Sequence, residues 1–211
     1  MTAATAAAAA IHLVLFDMEG VLSHYDREAR AVRLAALTGT TPAAVREAIW
    51  GSGLEARADA GELAPDVYLR ALGELLGCDM DRETWLAARR ASITPNDAAI
   101  ALAGRAAQHC RIAVLTNNCG LVTDYLDYLN PPVAQLFGEC VYACASFGAT
   151  KPAAQAYLGC LAQLGIAPDE TLFIDDGEAN VQGALAAGLH ACRFVDVETL
   201  ARDLQRFGVI G

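Results

Sequence analysis

Asp17 and Glu19 follow directly on a short apolar run in IHLVLFDMEGVL, Ile11–Leu22, with Gly20 immediately behind them. Three further polar clusters come downstream: Thr116-Asn117-Asn118, Thr150-Lys151-Pro152 and Asp175-Asp176. A carboxylate held at a strand end can act as a nucleophile. On a phosphorylated substrate, Asp17 would form an acyl-phosphate, dividing one hard displacement into two easier ones. Its charge repels a phosphate dianion, so a divalent cation is needed; Asp17 and Asp176 are oxygen ligands suited to Mg²⁺, with Asp175 close by. Lys151 would neutralise the nucleophile and the phosphoryl oxygens, while Thr116 and the backbone N–H of Asn117 would hydrogen-bond the group in flight. Glu19 would protonate the leaving oxygen and later deprotonate the attacking water. Taken singly, each cluster reads better as an acidic turn, a polar turn or a surface charge. Their joint order along the chain argues for a site.

Positioning these groups is work for strands. The run Ile11–Phe16 is short and rich in branched and aromatic residues, as a buried parallel strand requires. Asp17 then stands at its carboxyl end, where open α/β sheets bind ligands, and Gly20 lets the backbone turn sharply behind it. From Asp26 to Ala91 the periodicity is helical, giving helices over Asp26–Leu37, Pro42–Trp50, Pro65–Leu76 and Arg82–Ala91. Thr41, Ala64 and Asp81 each precede one of these starts, two of them with proline at the first helical position. Strands and helices then alternate: helix Asn96–His109, strand Arg111–Leu115, strand Glu139–Ala143, helix Pro152–Leu164, strand Thr171–Ile174, helix Glu178–Ala187, strand His190–Val195 and helix Val197–Phe207. Such alternation predicts a doubly wound parallel sheet that brings the strand-end clusters to one edge. It also puts Lys151 at the start of a helix, where the amide dipole favours anions.

Composition bounds the partners. With 211 residues, 55% hydrophobic and 19% charged, the chain can bury one substantial core with an insert. Its net charge of −10 argues against a nucleic acid or an anionic membrane, and admits an anionic small molecule, such as a small phosphorylated metabolite, where a metal or a local lysine offsets the charge. Seven cysteines without a CxxC pair suggest reduced thiols in a cytoplasm. The alanine-rich start reads as a frayed tail rather than a signal peptide or membrane span. The oligomeric state, monomer or homodimer, is left open.

DMEGV at Asp17–Val21, LTNN at Leu115–Asn118, TKP at Thr150–Pro152 and FIDDGEANVQGA at Phe173–Ala184 resemble, in order, the four motifs of the haloacid dehalogenase (HAD) superfamily. The likeness extends from Ile11 to Gly211 and is to the helical-cap group, subfamily IA. It implies a Rossmann-like core over residues 11–24 and 96–211, an all-helical cap over 25–95, and a tail over 1–10. It also implies Asp17 as nucleophile, Thr116 and Lys151 as phosphate-binding groups, and Mg²⁺ held by Asp17, the backbone carbonyl of Glu19 and Asp176, with Asp175 supporting. GSGLEARADAGELAPDVYL in the cap is similar to sugar-phosphate phosphatases of the alpha-glucose-1-phosphatase type. One departure stands out: most phosphatases of the superfamily carry aspartate where this chain has Glu19, a feature that resembles the enolase-phosphatase branch. A dehalogenase would have an aromatic residue there, and phosphonate hydrolysis would need a cap lysine, whereas Lys151 is the chain's one lysine. The expectation is a Mg²⁺-dependent phosphomonoester hydrolase, with a phosphomutase or a binding protein of weak turnover as alternatives. Trp50, Leu54 and Arg57 are candidates for substrate contact, weighed against plain packing for Trp50 and a solvated charge for Arg57.

Overall fold

The computed structural model describes residues 10–211, and the predicted tail lies outside them except for Ala10. Strand β1 (Leu13–Phe16) has all four side chains fully buried, which explains a run with no polar alternation. The chain then turns tightly, with the amides of Leu22 and Ser23 both donating to the Met18 carbonyl at 2.9 Å. Strand β2 (Ser23–Tyr25) pairs antiparallel with β3 (Ile93–Pro95) in a small ribbon that the sequence reading missed. Three residues are too few for an alternation to register. The ribbon is the neck of the helical insert. The Asp26 amide donates to the Ser92 carbonyl at 2.8 Å and the Asn96 amide to the Leu22 carbonyl at 2.9 Å, pinning both ends together.

The insert holds α1 (Arg27–Thr38), α2 (Pro42–Arg46), α3 (Leu54–Asp59), α4 (Pro65–Leu76) and α5 (Arg82–Arg90). Side-chain oxygens of Asp26, Thr41 and Asp81 accept amides of the first turns of α1, α2 and α5, satisfying donors that would otherwise be orphaned. Helix α4 has the predicted bounds. The helix expected over Pro42–Trp50 is α-helical only to Arg46 and continues as a π-helical turn, Glu47–Gly51, which carries Trp50. Helix α3 was not expected, because the glycines around it read as a break. Gly53 instead precedes the helix with φ 75°, a left-handed conformation that glycine adopts without penalty. Tyr68 and Trp85 meet edge-on at 6.3 Å in the insert's interior.

Beyond β3 come α6 (Asp97–Ala106), β4 (Arg111–Thr116), the short α7 (Gly120–Asp124), α8 (Leu126–Leu129) and α9 (Pro131–Phe137), then β5 (Val141–Ala143), α10 (Ala154–Leu164), β6 (Thr171–Asp175), α11 (Glu178–Ala186), β7 (His190–Arg193) and α12 (Val197–Arg206). The sheet is parallel throughout, in the order β5-β4-β1-β6-β7. Alternate residues of β1 serve its two faces. Val14 and Phe16 join Leu102 of α6, Leu200 of α12 and the insert, whereas Leu13 and Leu15 pack with Tyr157 of α10 and Ala184 of α11. This is a doubly wound α/β fold. Strand order reverses at β1, so the carboxyl ends of β4, β1 and β6 lie side by side. No helix among the described residues is long and apolar enough to cross a membrane. The seven cysteines are free.

Candidate active site

Asp17, Thr116 and Asp175 stand at the ends of the three adjacent strands β1, β4 and β6. Lys151 joins them from the turn before α10. Its ammonium lies 2.7 Å from Asp17 Oδ1 and donates to Asp175 Oδ2 at 2.8 Å. The sequence reading had placed Lys151 at a helix start. In the structure α10 begins at Ala154, three residues later, and the Lys151–Pro152 peptide is cis. The Asn117 side chain holds the turn, accepting from the Lys151 amide at 2.8 Å and donating to the Lys151 carbonyl at 3.0 Å. Gly183 of α11 lets the turn approach, since a Cβ there would sit 2.4 Å from the Pro152 carbonyl oxygen.

Burial governs the charges. It favours the neutral amine of Lys151, but Asp17 and Asp175 outweigh it and hold the ammonium well above its usual range. Burial also pushes the Asp17 carboxyl up to about 7, with Lys151 pulling down and Asp175 pushing up. Asp176 is raised by burial and by Asp175. Oxygens of Asp17, Asp175 and Asp176 all lie within 4.8 Å of one another. Gly20, at φ 94°, makes room for this convergence, because a Cβ there would lie 2.5 Å from the Asp176 carboxyl carbon. Asp175 is further fixed by the Gly177 amide at 2.8 Å and by Asn180 Nδ2 at 3.0 Å. Three converging carboxylates against one ammonium fit a hard divalent cation, which prefers oxygen ligands.

Glu19 is engaged from the insert. Arg89 of α5, 1% exposed, donates through Nη2 to Glu19 and, at 2.6 Å, to Asn118 Oδ1. Asn118 in turn donates to the Thr116 hydroxyl at 2.7 Å. The guanidinium carbon stands 4.2 Å from the Tyr25 ring centre. A cavity of about 210 Å³ opens here between insert and core, walled by Glu19, Asn117, Trp50, Glu55, Asp59 and Arg89. Of the three insert candidates, Trp50 lines this cavity, Leu54 is buried in the insert core, and Arg57 pairs with Glu62 at 3.2 Å on the surface. A larger groove of about 690 Å³ lies at the opposite ends of the strands, against His12 and Arg111, away from every predicted site residue. Arg89, Asn118, Glu55 and Asp59 were missed by sequence reading. The signal available was helical spacing: Arg89 shares a face with Trp85, and Asp59 with Glu55, each four residues apart.

Residues 11–188 match the family model of the haloacid dehalogenase-like hydrolases. The fold superposes on a predicted HAD-like family hydrolase from Porphyromonas gingivalis with a TM-score of 0.77 and 26% identity, covering 94% of this chain and 98% of that one. It also superposes on a HAD family enzyme of Bacteroides thetaiotaomicron, solved with magnesium and inorganic phosphate, with a TM-score of 0.76 and 21% identity over 90% of this chain and 98% of that one. A 62-residue stretch, 29% of this chain, is 36% identical to flavin mononucleotide hydrolase 1 of Arabidopsis thaliana and spans 25% of that relative's length. Ordered motifs, sheet topology and matched length agree, and the chain belongs to the haloacid dehalogenase-like hydrolases.

Proposed function

We propose that this hydrolase cleaves a small phosphomonoester, a sugar phosphate by its cap resemblance, through an aspartyl-phosphate on Asp17. The observation that carries the reading is the Lys151 ammonium held between Asp17 and Asp175 at 2.7 and 2.8 Å, with Asp176 beside them at the strand ends. An Asp17 oxygen attacks phosphorus and the P–O bond to the alcohol breaks, the departing oxygen taking a proton from Glu19. Glu19 then removes a proton from water, whose oxygen attacks the same phosphorus and returns Asp17 as a carboxylate with release of inorganic phosphate. Lys151 offsets the negative charge gathered at the phosphoryl oxygens, and Thr116 supplies a hydroxyl beside it. Mg²⁺ would be held by Asp17, Asp176 and the Glu19 carbonyl, with Asp175 behind them, and when bound it supplies charge neutralisation and orientation for the phosphoryl group.

The Glu19–Arg89 pair favours one competing reading, a phosphate-binding protein with slow turnover, because an acid held by a guanidinium gives up its place at the leaving oxygen less readily. Phosphate release from sugar phosphates and an aryl phosphate, with Mg²⁺ and with EDTA, decides between them. Metal-dependent release that disappears in Asp17→Asn, in a protein with an unchanged melting profile, is the expected outcome. Retained steady-state release in that variant would remove Asp17 as nucleophile.

A further inference from the structure

The cavity between insert and core contains one acid whose hydrogen-bonding capacity is unspent. Glu19 is taken by Arg89. Glu55 is taken by Arg30 and by the Tyr68 hydroxyl, with Arg89 3.8 Å away. Asp59, the last residue of α3, lines the same space and makes no hydrogen bond or ion pair among the described residues. Arg27 does not serve it: its guanidinium lies over the Trp50 ring, 5.4 Å from the centre.

Resting on the phosphomonoester reading, we propose that Asp59 reads the leaving group of the substrate. That group is a compact alcohol presenting a second hydrogen-bond donor, a hydroxyl or an ammonium, to the Asp59 carboxyl. Size and polarity both lead there. The cavity, about 210 Å³, is below the roughly 300 Å³ at which pockets for drug-sized ligands begin, so a large fused ring does not fit. Its walls are carboxylates, guanidinium and amide rather than long aliphatic groups, with the Trp50 and Tyr25 rings as its broad apolar surfaces. Burial, then Glu55 and Glu19, push the Asp59 carboxyl up to about 8, with Arg89 and Arg30 opposing. A ligand donor would relieve what no protein group relieves. Asp59 stands one turn after Glu55 on α3, so the insert supplies both acids from one helix face.

The test measures binding in the Asp17→Asn background, where turnover does not intervene. Calorimetric titrations in Mg²⁺ use a hexose 1-phosphate, glycerol phosphate and phosphoethanolamine, with phenyl phosphate as the donor-free reference. Affinity for at least one donor-bearing ligand, relative to phenyl phosphate, is expected to fall about tenfold when Asp59→Ala is added. Asp59→Asn separates the two sources: its amide oxygen still accepts from a hydroxyl, but unlike the carboxyl it cannot ionise opposite an ammonium. Should Asp59→Ala melt early, Asp59→Ser replaces it. A uniform loss across all ligands, an unchanged preference, or no preference in the parent overturns the proposal. Phosphate release by the Asp17-intact protein is measured separately, so failure of the phosphatase reading and failure of the Asp59 assignment are told apart.

Discussion

Arg89 comes from the insert, yet it holds Glu19, the acid that the proposed reaction uses at the leaving oxygen. Its guanidinium reaches Glu19 and Asn118 and stacks on Tyr25, while Nε has no partner. The arrangement accounts for a glutamate at position 19, since a side chain one methylene shorter would draw back from Arg89. Removing one partner of a buried pair leaves the other charge uncompensated, at a cost of about 3–5 kcal/mol. The Glu19 side chain keeps 21% exposure, so Arg89→Met should cost about 3 kcal/mol, the low end, in urea unfolding. Arg89→Lys restores charge but not the reach and fixed direction of the guanidinium Nη2 that bonds both Glu19 and Asn118. It should recover part of the stability while kcat for phosphate release stays about tenfold down, the effect of an acid misplaced by a fraction of an ångström. Wild-type kcat in both variants would reduce Arg89 to a structural role.

At the scale of elements, what was legible in the sequence was local. Thr41 and Asp81 cap their helices through bonds to amides three residues away, and the β1 run could hardly be anything but a doubly buried strand; Asp26, read as the first residue of its helix, is its cap. The strand-end acids were legible for the same reason, because Asp17 and Asp175 need only their own strands to place them. Arg89 and Arg90 look alike in RETWLAARR, and only packing decides that one is buried against Glu19 while the other bonds the Ile93 carbonyl at 3.2 Å. Short strands β2 and β3 exist only as each other's partner, across the whole insert. Gly20 belongs to this scale, because it is where the β1 turn meets the Asp176 loop. Gly20→Ala puts a Cβ into the Asp176 carboxylate from a left-handed backbone, so both must shift. The expected result is a Mg²⁺ affinity lowered about tenfold or more, as when the support of a metal ligand is disturbed. Calorimetric Mg²⁺ titration checks it, and an unchanged affinity would take Asp176 out of the ligand set.

Across the whole molecule, acids outnumber bases by ten, and two places gather them: Asp17, Asp175 and Asp176 at the strand ends, and Glu19, Glu55 and Asp59 along the seam between insert and core. The seam makes global stability depend on pH in a direction that can be worked out. Asp59 is raised from 3.8 to about 8. Between those values the folded chain keeps a proton that the unfolded chain releases, so Asp59 penalises folding little at low pH and increasingly as pH rises through that window. One such proton gives a slope of at most about 1.4 kcal/mol per pH unit. Saturating Mg²⁺ holds the strand-end carboxylates constant, leaving the seam to titrate. Urea unfolding at about pH 5.5 and about pH 7.5 should therefore show stability falling in the wild type and falling less in Asp59→Asn, every other group being common to both. Parallel lines for the two proteins would mean that Asp59 ionises as a solvated acid, and that water reaches the seam which the leaving group is proposed to fill.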